Sequence, residues 1–317
     1  MKGTVVALSG GVGGAKLALG LSRVVDPSQL VVVANTGDDF VHLGLAVSPD
    51  VDTLVYTLAG LVDPERGWGR RDESWHFMDA LERLGGDTWF RLGDADLAMH
   101  VERTRRLAAG ERLTAVTADF ARQLGVAARV LPMSDDPVRT RLQTGEGWMD
   151  FQEYFVRRRC EPRVHAVDYA GAGVAAPAPG LLEALRDPGL AAIVICPSNP
   201  LLSIGPILAV PGIREAIASR RAPAVAVSPL IGGAAVKGPT AKMMRELGGD
   251  ATASEVAHGY AGLIDALVAD PADAGLAYPP GLRVHSAPAL MNSIEDRERL
   301  ARAALAAAEA AGRNGPG

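Results

Sequence analysis

Close behind the N-terminus, Ser9-Gly10-Gly11-Val12-Gly13-Gly14-Ala15-Lys16 places four glycines in five positions. Glycine lets a backbone pass close to a bulky anion and take positive φ without a steric penalty. A helical pattern starts at once, and the free N–H groups of a first helical turn attract negative charge. A phosphate or diphosphate is the natural occupant of Gly10, Gly11, Gly13 and Gly14. Two common templates fail here. A Walker A lysine directly follows a glycine and precedes Ser or Thr, whereas Lys16 sits between Ala15 and Leu17. The dinucleotide fingerprint needs glycine or alanine where Lys16 stands. A tight strand–helix turn with no ligand is the alternative.

Acidic residues come next. Asn35-Thr36-Gly37-Asp38-Asp39 combines two carboxylates with amide and hydroxyl oxygens, a hard-oxygen set suited to Mg²⁺ at Asp38 and Asp39. Farther on, Ser48-Pro49-Asp50-Val51-Asp52 opens a helical segment, with Asp50 in the place of an N-cap. Capping accounts for one carboxylate, not for four within fifteen residues. Either Asp50 or Asp52 can orient a substrate hydroxyl for attack on phosphorus.

Three further loops offer binding groups. Arg91, in Trp89-Phe90-Arg91-Leu92-Gly93-Asp94, can clamp a phosphate or carboxylate through two parallel N–H groups. Asp94 is equally placed to cap the following helix. Ser198 and Asn199 lie in Cys196-Pro197-Ser198-Asn199-Pro200, where they can read a base or hold a phosphate. Lys237, in the glycine-bearing loop Ser228–Thr240, can neutralise a phosphate, although a purely structural loop is the alternative.

The elements that position these loops follow an alternating rhythm. Apolar runs at Thr4–Leu8, Leu30–Ala34, Arg129–Pro132, Ala191–Cys196 and Ala224–Val227 read as strands buried on both faces. Helical patterns occupy Ala15–Val24, Val51–Ala59, Ile204–Ala218 and Thr240–Leu247. This alternation predicts an α/β fold with a doubly wound, mainly parallel, Rossmann-like sheet, its ligands beyond the carboxyl ends of the strands. Residues 72–124 break the rhythm with three helices, Glu73–Leu84, Ala95–Ala109 and Thr114–Gln123. They read as a helical insertion into a nucleotide-binding domain of residues 1–71 and 125–317. Thr140–Phe155 alternates like a hairpin around Gly145-Glu146-Gly147, and Ser293–Ala311 reads as a helix before a disordered tail.

Composition excludes several classes. A net charge of −5 provides no basic surface for nucleic acid. The arginines at 103–106 and 157–159 read as solvated helix faces. Six scattered histidines support neither a zinc site nor a serine triad. Cys160 and Cys196 match no metal spacing and fit a reducing compartment as small buried hydrophobes. No apolar run approaches the roughly 20 residues of a membrane span, and the N-terminal run is too short for a signal peptide. A cytoplasmic protein that does not meet a membrane is the expectation.

Taken together, the chain resembles the 2-phospho-L-lactate transferases of coenzyme F-420 biosynthesis. The resemblance rests on SGGVGGAKLALGL, NTGDDFVHLGLAVSPDVDTLVYTLAG, WFRLGDADLAMH, LPMSDDPVRT, CPSNPLLSIGPIL and SPLIGGAAVKGPTAKMM, in that order. It implies a Rossmann-like sheet with a helical insertion, Mg²⁺ as cofactor and a homodimer. It also implies a donor whose lactyl or enolpyruvyl group is joined through diphosphate to guanosine. The terminal ribityl hydroxyl of the deazaflavin Fo attacks, and GMP leaves. By motif, Asp50 and Arg91 contact Fo. On that reading Gly10–Gly14 and Lys16 hold the diphosphate, Asp38, Asp39 and also Asp52 lie near Mg²⁺, and Ser198 and Asn199 meet guanosine. Asp50 then orients or deprotonates the hydroxyl. Nucleotide-sugar-binding regulatory proteins of the same superfamily are the alternative, and an NAD-dependent dehydrogenase is disfavoured by the failed fingerprint.

Overall fold

A computed structural model describes residues 2–312, so the tail from Arg313 onward lies outside the described residues. The chain opens with β1 (Thr4–Ser9), α1 (Gly11–Val24) and β2 (Leu30–Ala34). A small antiparallel hairpin, β3 (Phe40–His42) and β4 (Leu45–Val47), leads into α2 (Pro49–Leu58). Three helices follow: α3 (His76–Arg83), α4 (Asp94–Ala108) and α5 (Leu113–Gln123). The chain returns to the sheet at β5 (Arg129–Pro132), then forms a second sheet from β6 (Arg139–Thr144), β7 (Gly147–Asp150) and β8 (Val164–Ala170).

Next come α6 (Leu181–Arg186), β9 (Leu190–Ile195), α7 (Gly205–Ala209), α8 (Ile213–Ala218) and β10 (Ala224–Val227). The hairpin of β11 (Leu230–Ile231) and β12 (Ala234–Ala235) precedes α9 (Thr240–Glu246) and α10 (Ala253–Gly259). The last elements are β13 (Ala266–Ala269), β14 (Arg283–Ser286) and α11 (Ile294–Gly312).

Seven strands make the central sheet in the order β14-β13-β10-β9-β1-β2-β5, and every neighbouring pair is parallel. From β1 the chain winds outward through β2 to β5, and from β9 it winds the other way. The seam between β1 and β9 is therefore the topological switch point, where such sheets bind ligands. Alternation along each strand divides the core in two. Val6, Leu8, Val31, Val33, Ile193 and Ile195 face one layer with α8 and α10. Val5, Ala7, Val32, Ala34, Ala192 and Val194 face the other, with α1, α2 and α11. Valine and isoleucine suit strands covered on both sides, because their branched side chains pack well on a pleated surface.

Several expectations need correction. The pattern over Ile204–Ala218 is not one helix: it breaks at Val210-Pro211-Gly212, where Pro211 has no N–H and Gly212 takes φ +89°. The hairpin from Thr140 ends at Asp150, and a turn of π-helix occupies Glu153–Arg157. Arg103 is not on a solvated face; it is 1% exposed. Cys196 is buried, but Cys160 is only partly so. Among the described residues no helix is long and apolar enough to cross a membrane.

Candidate active site

At the seam, the Gly10 N–H donates to Ser198 Oγ at 3.0 Å, joining the loop after β1 to the loop after β9. A cavity of about 440 Å³ opens beside this contact. Gly10, Gly11, Gly13, Lys16, Asp38, Asp50, Asp52, Arg91, Ser198, Asn199 and Lys237 all line it. Gly14 and Asp39 do not.

The glycines serve different ends. A Cβ on Gly10 would stand 2.6 Å from Asp50 Oδ2, and one on Gly13 would stand 2.6 Å from the Pro197 carbonyl oxygen. One on Gly14 would collide with the hydroxyls of Ser9 and Ser198. Only Gly11 takes a left-handed φ, +64°, and an added methyl there meets nothing. Close packing of the seam, more than approach of an anion, requires three of the four. The Gly11 N–H is already taken by Asp50, so an anion at this helix start meets the next N–H groups of the turn.

Asp50 is not an N-cap. Ser48 holds that position in α2, and Asp50, two residues on, reaches across to α1. Its Oδ1 accepts from the Gly11 N–H at 2.7 Å and its Oδ2 from Asn35 Nδ2 at 2.9 Å. Burial pushes this carboxyl up to about 6, against the lowering effect of both hydrogen bonds. Asn35 is committed to this support, since its Oδ1 accepts from the Gly37 N–H at 2.8 Å.

Asp38 and Asp39 diverge. Asp38 faces the cavity with Oδ1 buried and without a hydrogen-bond partner. Burial, then the neighbouring Asp50 carboxylate, holds its carboxyl well above the ordinary carboxylate range. Asp39 turns behind the cavity wall, where its Oδ2 accepts from Ser48 Oγ at 2.8 Å, and burial raises it to about 7.

Asp52 belongs to a buried network that the sequence reading missed. Arg103, from α4, donates to Asp52 Oδ2 through Nη1 at 3.1 Å and pairs with Oδ1 through Nη2. His100 Nδ1 lies 3.7 Å from Asp52 Oδ2, and Tyr56 donates to Asp96 Oδ1 at 2.6 Å. Asp96, His100 and Arg103 recur at helical spacing on one face of α4, a signal present in the sequence. Asp94 does not cap α4; it accepts from the His76 and Phe77 N–H groups at the start of α3.

Cations and aromatic rings complete the walls. Lys16 Nζ donates to the Met291 carbonyl at 3.0 Å, and Lys237 Nζ donates to the Arg66 carbonyl. Among the described residues neither pairs with a carboxylate. Burial, then Arg297 and Lys237, lower the Lys16 pKa. The guanidinium of Arg91 lies over the Trp75 ring at 4.7 Å. Asn199 Oδ1 accepts from the Leu201 and Leu202 N–H groups, while its Nδ2 is buried without a partner. Phe90, Phe151, Phe155 and Trp68 face the cavity, and the rings of Phe151 and Phe155 stack at 5.3 Å.

Sheet order and cavity together define a doubly wound α/β protein with a pocket at its switch point. The chain belongs to the 2-phospho-L-lactate transferase CofD family, whose model matches residues 5–279. A phosphoenolpyruvate transferase of Kitasatospora aureofaciens is 44% identical over 315 residues, covering 96% of this chain and 98% of that one. A 2-phospho-L-lactate transferase of Methanosarcina mazei is 37% identical over 300 residues, covering 94% and 98%. A crystal structure of a UPF0052 family member from Bacillus halodurans matches with a TM-score of 0.64 over 96% of this chain and 99% of that chain. At 16% identity that likeness is one of fold.

Proposed function

We propose that the protein transfers a phosphoenolpyruvyl or phospholactyl group from a guanosine diphosphate-linked donor to the terminal ribityl hydroxyl of Fo, releasing GMP, as a homodimer and with Mg²⁺. One observation carries this reading. Asp50, bonded to the first turn of α1, and the neighbouring Asp38 are buried in one cavity with two lysines that have no acidic partner among the described residues, and with an aromatic wall.

The residues fit a hard divalent cation, because Asp38 Oδ1 is a buried carboxyl oxygen with no hydrogen-bond partner among the described residues, and a cation would favour its ionised form. Asp38 would hold it, leaving Asp50 beside it for the proton, and it would supply charge neutralisation for the diphosphate. Asp39 lies behind the cavity wall with Oδ2 on Ser48 Oγ, and its Oδ1, likewise buried without a partner, keeps it in the proposed cation set.

In the transfer, the ribityl oxygen attacks the phosphorus that bears the enolpyruvyl or lactyl oxygen. The P–O bond to the GMP phosphate breaks, its electron pair leaves with GMP, and the hydroxyl proton passes to Asp50. A carboxyl near 6 is matched to that task at neutral pH. Lys16, Lys237 and the first-turn N–H groups of α1 hold the diphosphate, while Ser198 and Asn199 meet the guanosine end. The helical insertion supplies Arg91 to the acceptor, beside the Phe90, Phe151 and Phe155 rings that offer faces to a flat tricycle.

The test is to offer guanosine-linked enolpyruvyl and lactyl donors with Fo and Mg²⁺, and to identify the product by mass. A phosphodiester of Fo together with GMP is expected. Tight binding of the donor without cleavage would instead mark a nucleotide-binding regulator.

A further inference from the structure

Arg91 lines the cavity, yet among the described residues its guanidinium has neither a hydrogen-bond acceptor nor a carboxylate partner. What holds it is a ring. Its Cζ lies 4.7 Å from the centroid of Trp75, the shortest cation–ring contact among the described residues. Trp75 itself is not part of the cavity wall. Arg66 also lies over this ring, at 5.2 Å, but Asp63 neutralises it through a 3.1 Å ion pair. The segments that carry Trp75 and Arg91 are latched to each other. Glu73 accepts from the Ala95 and Asp96 N–H groups at 2.9 and 2.8 Å. In return, Asp94 accepts from the His76 and Phe77 N–H groups at 3.1 and 3.0 Å, and from Ser74 Oγ at 2.6 Å. Trp75 stands between Glu73 and His76, and Arg91 shortly before Asp94, so the latch brackets both the ring and its cation.

Ordering a free arginine side chain on binding costs conformational entropy. A ring beneath the guanidinium removes much of that cost in advance. Because the contact uses the face, the N–H groups around the edge remain free for a ligand. We propose that Trp75 is a positioning residue for the acceptor: it holds Arg91 by its face, so that the edge N–H groups meet an electron-rich oxygen of the acceptor ring. This rests on the deazaflavin-acceptor reading above. Trp75 acts through Arg91 and does not touch the substrate, separate from the proton transfer at Asp50.

The experiment reads the Kd for Fo from its fluorescence in the presence of GDP, so that no turnover is needed. Trp75→Leu is expected to weaken Fo binding by about threefold to thirtyfold, the span of a guanidinium–indole contact from exposed to desolvated. Trp75→Phe, which keeps an aromatic face, should recover part of that loss. GDP affinity should stay constant in both. The decisive comparison uses Arg91→Gln: in that background Trp75→Leu should cost nothing more, because the ring has no cation left to hold. A further loss of the same size in the Arg91→Gln chain would overturn the proposal, by making Trp75 a support for the insertion alone. A Kd for Trp75→Leu within about twofold of the wild type would overturn it too, as would weaker Fo binding by Trp75→Phe than by Trp75→Leu. Absence of Fo binding in the wild type would instead remove the acceptor reading, and this inference with it.

Discussion

The Asp50 carboxylate accepts a hydrogen bond from the Gly11 N–H at 2.7 Å, so the helix that starts at Pro49 is tied to the first turn of the helix that starts at Gly11. The same carboxylate faces the cavity, so in the proposed transfer one side chain is both a brace and the proton acceptor. Asp50→Asn keeps the shape and removes the basicity. GMP release is expected to fall by about 10²–10⁴-fold, with a melting temperature close to that of the parent. A variant within tenfold of wild-type turnover would remove Asp50 from proton transfer.

The glycine loop makes a prediction about order. Gly13→Ala drives a methyl toward the Pro197 backbone, where nothing can rotate away, and about 1–3 kcal/mol of destabilisation follows from overpacking. Gly11→Ala adds a methyl to open space and bears only the left-handed backbone penalty, about 1 kcal/mol. Urea midpoints should therefore rank Gly13→Ala as the worse. The reverse ranking would mean that backbone strain, not crowding of the seam, dictates these residues.

Proton uptake on folding yields a pH dependence. Asp39 and Asp50 lie at about 7 and about 6 in the folded protein, above the roughly 3.9 of an unfolded aspartate. Raised values mean that their contribution to stability is whole below about pH 4 and is lost as pH rises through 6 and 7. Without a divalent cation, the melting temperature at pH 8 should lie a few degrees below that at pH 5. Asp39→Asn should flatten the slope. Added Mg²⁺ should restore more at pH 8 than at pH 5, because a cation favours the ionised Asp38 and Asp50. A Mg²⁺ shift of the same size at both pH values would contradict this account.

Arg103 is the sole guanidinium in the buried network around Asp52 among the described residues. Arg103→Met leaves that carboxylate buried and uncompensated, and should destabilise by about 3–5 kcal/mol. Asp52→Asn in the same chain should recover more than half of the loss in a double-mutant cycle read by urea unfolding. Additive losses would show that the two residues are not coupled.

Much of the architecture was legible in the chain because buried parallel strands write themselves as short β-branched runs, as in Leu30–Ala34 and Leu190–Ile195. β14, Arg283–Ser286, carries no such signature: it lies at the sheet edge with partly exposed polar residues. The site loops were legible because glycine and carboxylate clusters follow strands. What escaped was direction and distance. Asp38 and Asp39 are neighbours in a bend, so one faces the cavity and the other its back, and composition cannot choose between them. Arg103 meets Asp52 from 51 residues away. Phe90 and Phe155 reach one cavity from separate excursions of the chain, with no spacing rule to join them.

Aromatic residues make up 5% of the chain, with four tryptophans. Trp68 lines the cavity, Trp75 lies beneath the Arg91 guanidinium, and Trp89 packs edge-on against Phe90. Trp148, on a strand of the second sheet, is the exception. The molecule thus carries its own optical reporter: indole emission comes mainly from the ligand-facing side, so substrate arrival can be followed as a spectral change without any attached dye.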